Sequence, residues 1–281
     1  MSEQMLTWVD THVHWDAHEF ALDRDAALVR ARAAGVVRCI NPAVNAAGFN
    51  TIQRLAEMSE QRVDWPRILP AYGIHPLYVM DTKPGDLDEL ERYLKNFRPI
   101  AIGEIGLDRY RGAPDFKVQC DLFEAQLHLA VTYALPVVLH VRHAVEDVIQ
   151  RLKHVQGRAQ RIPGGIAHAF NGSREQAEQL IRMDFALGFG GSCTYEGSTR
   201  IRSLVQTLPL PALVLETDAP DMAPAWRRGE RNESSQLIRV AQTIANLRGI
   251  SMTELSSTTR QNVDRVLMTG QDGACTQSVG L

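Results

Sequence analysis

His12 and His14 stand two residues apart where the run WVDTHVH leaves an apolar segment, so their side chains fall on one face of an extended chain and converge. Imidazole nitrogens held in that way are transition-metal ligands. Alone, an H-x-H pair reads equally well as polar packing at a strand end. Four further ligand-type residues change the balance: Glu104 ends AIGE, His140 ends VVLH, His168 ends IAH, and Asp218 follows LVLET. A carboxylate or imidazole at the mouth of an apolar strand needs a partner, because burying it alone is costly. An arginine or a backbone amide could satisfy each one separately, but six such residues on five runs fit a shared metal centre better. Six donors exceed one tetrahedral ion and suit two divalent ions joined by a bridging carboxylate, for which Glu104 is the natural candidate. The nitrogen-rich set favours zinc, with magnesium or manganese as alternatives. Asp218 can bind metal and also take the proton of an attacking water, and spacing does not separate those roles.

Such convergence needs a scaffold that brings many strand ends to one face. Eight short apolar runs bounded by turn residues read as strands buried on both sides: Trp8 to His12, Val36 to Pro42, Ile68 to Ile74, Ile100 to Ile105, Val137 to Val141, Gly165 to Phe170, Phe185 to Gly190 and Ala212 to Glu216. Helical spacing lies between them, most clearly at Cys120, Phe123, Leu127, Ala130, Val131 and Ala134, an apolar stripe that belongs to the core. Ser173 with Gln176, and Ser251 with Glu254, have capping-box spacing. No Pro/Gly/Ser-rich linker divides the alternation, so the expected fold is a single-domain α/β (β/α)8 TIM barrel over residues 1–268, followed by a flexible tail, 269–281. In an open doubly wound sheet the first strand-to-helix turn would carry a glycine-rich fingerprint, whereas here it carries DTHVH.

Composition agrees with one soluble barrel. The chain has 281 residues, close to the roughly 250 such a barrel uses. Thirty Lys+Arg against 33 Asp+Glu give a net charge of -3, which excludes a broad electrostatic footprint for a long phosphate backbone. Cys39, Cys120, Cys193 and Cys275 are scattered singly and read as reduced thiols. Neither a leader sequence nor a membrane-spanning run is apparent, which points to the cytoplasm.

Around the strand ends, Arg142 follows His140 by two residues and is the best candidate for a phosphate contact. Arg109 is a second, and Arg227, Arg228 and Arg231 form a basic cluster that reads equally well as solvated charge. His75, in GIHP, is placed to contact substrate or donate a proton to a leaving oxygen, and so joins Asp218 and Glu104 as a catalytic candidate. Asp16 and Glu216 are expected to orient ligand imidazoles. His18, His128 and His154 read as ordinary histidines, and His143 is expected to point away from the mouth.

Taken in order, DTHVHWD, GIHP, GEIGLD, LHVR, HAFNG and LETDAP resemble the TatD family of metal-dependent hydrolases, over about Val9 to Val266. The resemblance implies a two-metal barrel with His12, His14 and Asp218 on one ion, His140 and His168 on the other, and Glu104 between. It also implies a deoxyribonuclease of the 3'→5' exonuclease type, for which single-stranded DNA ends are the expected substrate; no membrane partner is expected, and the sequence points to no obligate protein partner. Departures fall on the rim: HAFNG stands for HCFSG, Arg231-Asn232-Glu233-Ser234 for RNEP, and Leu77 where a second histidine is common. Candidates for base stacking are Trp15, Tyr78, Tyr195 and Trp226. Two other functions stay open: a metal-dependent esterase or amidase, for instance an aminoacyl-RNA deacylase, and a non-catalytic metal-binding protein.

Overall fold

The structure is a computed structural model and describes residues 6–156 and 161–268. The tail expected at 269–281 lies outside them. Eight strands pair in parallel and in chain order: β1 (Trp8–Asp10), β2 (Val36–Pro42), β3 (Arg67–Tyr72), β4 (Ala101–Asp108), β5 (Val137–Arg142), β6 (Gly165–Ala167), β7 (Phe185–Phe189) and β8 (Leu213–Leu215). The last strand returns to the first through Thr11 N–H to Leu215 C=O at 3.0 Å, Asp218 N–H to His12 C=O at 2.8 Å and a parallel bridge between Val13 and Ala219. The ring is thus nearly closed. Its helices are α1 (Arg24–Ala33), α2 (Phe49–Gln61), α3 (Asp86–Phe97), α4 (Phe116–Thr132), α5 (Val145–Gln156), α6 (Arg174–Arg182), α7 (Thr199–Thr207), α8 (Leu237–Arg248) and α9 (Met252–Leu267). Among the described residues no helix is long and apolar enough to cross a membrane.

Strands buried on both faces still alternate. Val9, Ile40, Ala71, Ala101, Val138, Ile166, Ala186 and Val214, one from each strand, pack together inside the ring, with Val263, Val266 and Leu267 of α9 beside them. Their neighbours, among them Trp8, Cys39, Tyr72, Ile102 and Leu139, pack outward against the helices. On α4 the buried stripe is Cys120, Phe123, Leu127 and Ala130; Ala134 falls beyond the helix, which Asp115 caps by accepting from the Lys117 and Val118 N–H groups. Ser173 and Gln176 form the full capping box, and Ser251 accepts from Glu254 N–H.

The fourth strand corrects the sequence reading. It does not end near Ile105 but runs on to Asp108, with Glu104 in its interior. Pairing with β5 shifts register between Ile102 and Ile105, and both of those side chains pack outward. Strict alternation would have sent Ile105 inward and Glu104 out to the helices; one extra residue in the pleat reverses this.

Candidate metal centre

Glu104 is the hub. Its Oε2 lies 3.0 Å from His12 Nε2 and 3.6 Å from His14 Nε2. Its Oε1 lies 2.9 Å from His140 Nδ1, 3.0 Å from His168 Nε2 and 3.4 Å from His75 Nε2. Asp218 Oδ1 completes the first side, 3.6 Å from His12 and 3.7 Å from His14. All six ligand candidates named from the sequence therefore meet at one end of the barrel, His75 with them. Among the described residues, three sets are spaced to hold an ion: His12, Glu104 and His168; His12, His14 and Asp218; His75, Glu104 and His140.

Backbone and neighbouring side chains fix each ring. His14 Nδ1 faces the Pro42 carbonyl at 3.2 Å. His140 Nε2 meets Asp108 Oδ2 at 3.0 Å, and the other oxygen of Asp108 accepts from Tyr110 N–H at 2.6 Å. Gly106 makes this approach possible, because a Cβ there would sit 2.0 Å from the His140 carbonyl oxygen. His168 Nδ1 faces Glu216 Oε1 at 3.6 Å, and that oxygen accepts from Ala169 N–H at 2.6 Å. The Glu216 carboxylate fills the space a side chain on Gly188 would need, 1.9 Å from its Cβ position. Asp218 is set in a left-handed turn, φ 56°, that aims its carboxylate at the rings.

The donor set fits divalent ions. His12 and His14 bring their Nε2 atoms within 3.2 Å, and two ring nitrogens this close repel unless a proton or a cation lies between them. Burial alone would neutralise Glu104, but His12, His75 and His168 around it hold its carboxyl well below the ordinary range. Burial opposes charge on His168 as well, yet Glu104, Glu216 and Asp218 hold it well above its usual value. His12 goes the other way, lowered by burial and by His168. For Asp218 burial outweighs the pull of His168 and His14 and raises its pKa to about 6. Protons thus sit where divalent charge would replace them.

Of the remaining sequence candidates, Arg142 is exposed at the end of β5 with its guanidinium 3.6 Å over the Tyr110 ring. Arg109 forks onto Asp147 at 2.9 Å and lies over Phe116. In the basic cluster, Arg227 pairs with Glu230 and Arg231 with Asp23. Glu216 lies beside the imidazole of the ligand candidate His168, whereas Asp16 accepts from Asn41 Nδ2 at 2.8 Å and supports the loop instead. Trp15 is fully buried against Phe20 and presents no ring to solvent. His18, His128 and His154 are exposed and away from the centre.

Three residues went unrecognised in the sequence. Asp108 was visible only as part of GEIGLD, and Tyr110 carried no signal. Asp10, the first residue of DTHVH, is fully buried and accepts from Thr217 Oγ1 at 2.6 Å, Thr217 N–H at 2.9 Å, Ser234 Oγ at 2.5 Å and, more weakly, His12 N–H at 3.4 Å. It ties the loop bearing His12 to the loop bearing Asp218.

A parallel barrel with five imidazoles and two carboxylates converging at its strand ends has the build of a metal-dependent hydrolase. The family described as TatD related DNase matches residues 9–268, and the chain belongs to that family. It is 37% identical over 245 residues to the uncharacterized metal-dependent hydrolase YjjV of Escherichia coli, covering 86% of this chain and 90% of that protein. It is 32% identical to the 3'-5' ssDNA/RNA exonuclease TatD of Erwinia tasmaniensis, covering 92% and 98%. The crystal structure of the Escherichia coli YjjV TatD homologue superimposes with a TM-score of 0.87 at 33% identity, covering 94% of this chain and 99% of that one.

Proposed function

We propose that this metal-dependent hydrolase is a two-metal phosphodiesterase that releases nucleotides from the 3' end of single-stranded DNA. The observation that carries the reading is the division of Glu104: one oxygen faces His12 and His14, the other His140 and His168. A carboxylate so divided is suited to bridge two ions, with His12, His14 and Asp218 around one and His140 and His168 around the other. The imidazole-rich set favours zinc. Divalent ions bound there would polarise the phosphoryl group and lower the pKa of water. The 32% identity to a 3'-5' exonuclease supports the choice of bond.

Asp218 is the general base in this reading. Its carboxylate, 3.6 Å from His12 and 3.7 Å from His14, stands where it can take the proton of an attacking water. His75 is a hydrogen-bond donor to the departing oxygen. Its Nδ1 accepts from Leu77 N–H at 3.1 Å and burial lowers its pKa, so the neutral ring carries its proton on Nε2, the atom facing the centre. That tautomer leaves Nε2 without a lone pair for metal. Arg142 holds a phosphate oxygen at the rim.

A second reading, an ester or amide hydrolase such as an aminoacyl-RNA deacylase, draws on the engagement of Arg109, Arg227 and Arg231 by carboxylates, which leaves the rim modestly cationic. Metal-loaded protein incubated with 5'-labelled single-stranded DNA, duplex DNA and an aminoacylated RNA separates the two. The exonuclease reading expects a ladder shortening from the 3' end of the single strand. Intact DNA with a deacylated RNA would overturn it.

A further inference from the structure

We propose that Tyr110, Arg142 and His143 form a nucleotide subsite beside the metal centre, with Tyr110 stacking a base and Arg142 taking an adjoining phosphate of a single strand. The inference rests on the exonuclease reading and names where its substrate is gripped. Tyr110 is 49% exposed, so its ring lies outside the core and is open to solvent beside the strand ends. Its backbone is held: Asp108, the carboxylate that contacts His140, accepts from Tyr110 N–H, so one side chain ties the Tyr110 backbone to a metal-ligand candidate.

The second strand end builds the rest. Arg142 leaves β5 two residues after His140, and its C=O accepts from Arg109 N–H at 2.9 Å, locking the β4 and β5 ends together. Its guanidinium lies 3.6 Å from the Tyr110 ring centre, and no carboxylate pairs with it among the described residues. His143, expected from strand alternation to point away, instead enters a left-handed turn, φ 56°, and sets its ring within 21° of parallel to Tyr110, centroids 5.9 Å apart. Two near-parallel rings and a planar cation suit a flat heterocycle followed by a phosphate. Stacking on rings with a single guanidinium tolerates any base and needs little net positive charge, in keeping with a chain of charge -3.

The test uses the full-length metal-loaded enzyme for cleavage of oligothymidylate and the metal-free protein for its equilibrium binding. Tyr110→Leu is expected to raise KM and Kd about tenfold or more while kcat stays within about threefold, and Tyr110→Phe, which keeps the ring, to stay within about twofold on all three. Arg142→Gln should raise KM and reduce the salt dependence of binding by about one phosphate contact. A Tyr110→Leu enzyme with wild-type KM and Kd overturns the subsite and leaves the exonuclease reading standing. Equal impairment in the Leu and Phe variants also overturns it, since stacking is then not the cause. Wild-type protein that binds the oligomer through Tyr110 without cutting it sinks the exonuclease reading alone, and wild-type protein that neither binds nor cuts sinks both.

Discussion

Asp108 and His140 share a 3.0 Å contact between Oδ2 and Nε2, while the other nitrogen of the same ring meets Glu104 at 2.9 Å. A carboxylate behind a ligand imidazole fixes its tautomer and raises its basicity. Asp108→Ala should therefore weaken binding of an ion at His140 about 10-fold to 100-fold without unfolding the protein. Competition with a chelating dye, alongside circular dichroism, measures this; unchanged affinity would deny Asp108 that role.

Glu104→Gln keeps the shape of the hub and removes its charge. Loss of metal and loss of turnover should occur together, with activity reduced by at least about a hundredfold, since the retained imidazoles lose their common anionic partner. His128→Ala, on the exposed side of α4, should leave both unchanged. Elemental analysis and rate measurements on the same preparations decide the matter, and full metal content with no activity would argue that Glu104 acts otherwise.

Metal loading should release protons. In metal-free protein, carboxylates raise His168 and His140 above the ordinary histidine value despite burial, so a proton that a ligand nitrogen must lose is held more firmly there than on a free imidazole. Affinity should then fall as pH drops, by about tenfold per pH unit for each proton released. Calorimetric zinc titrations in buffers of different ionisation enthalpy count those protons; a buffer-independent heat would contradict the assignment.

Asp10 gives a test read through stability and not through turnover. Burial raises its pKa from 3.8 to about 7 against the pull of the Ser234, Thr217 and His12 donors. Between those values the folded chain holds a proton that the unfolded chain has lost, so the contribution of this group is fully present below about pH 4 and is lost as pH rises through 7. The loss amounts to about 4 kcal/mol at most. Urea unfolding of metal-free wild type and Asp10→Asn at pH 5 and 7.5 should show the wild type falling more steeply, and parallel behaviour would exclude the titration.

Much of this was legible in the chain. Period and turn residues gave eight strands in the right order, because every strand had to be apolar enough for burial on both faces and had to be followed by a helix to cross back. The set of ligand candidates was legible too: imidazoles and carboxylates along apolar runs need partners when buried, and a parallel barrel brings its strand ends, with Glu104 just inside β4, toward one face. What could not be read was local pleat geometry and side-chain contact. The register shift that turns Glu104 inward depends on how β4 fits β5, the left-handed turns at His143 and Asp218 depend on backbone packing, and the Asp108 carboxylate finds His140 only because Gly106 lets two strands close up. Periodicity fixes which residues are buried. Which buried groups touch is decided by displacements of one residue step or less, and those are set only as the barrel closes.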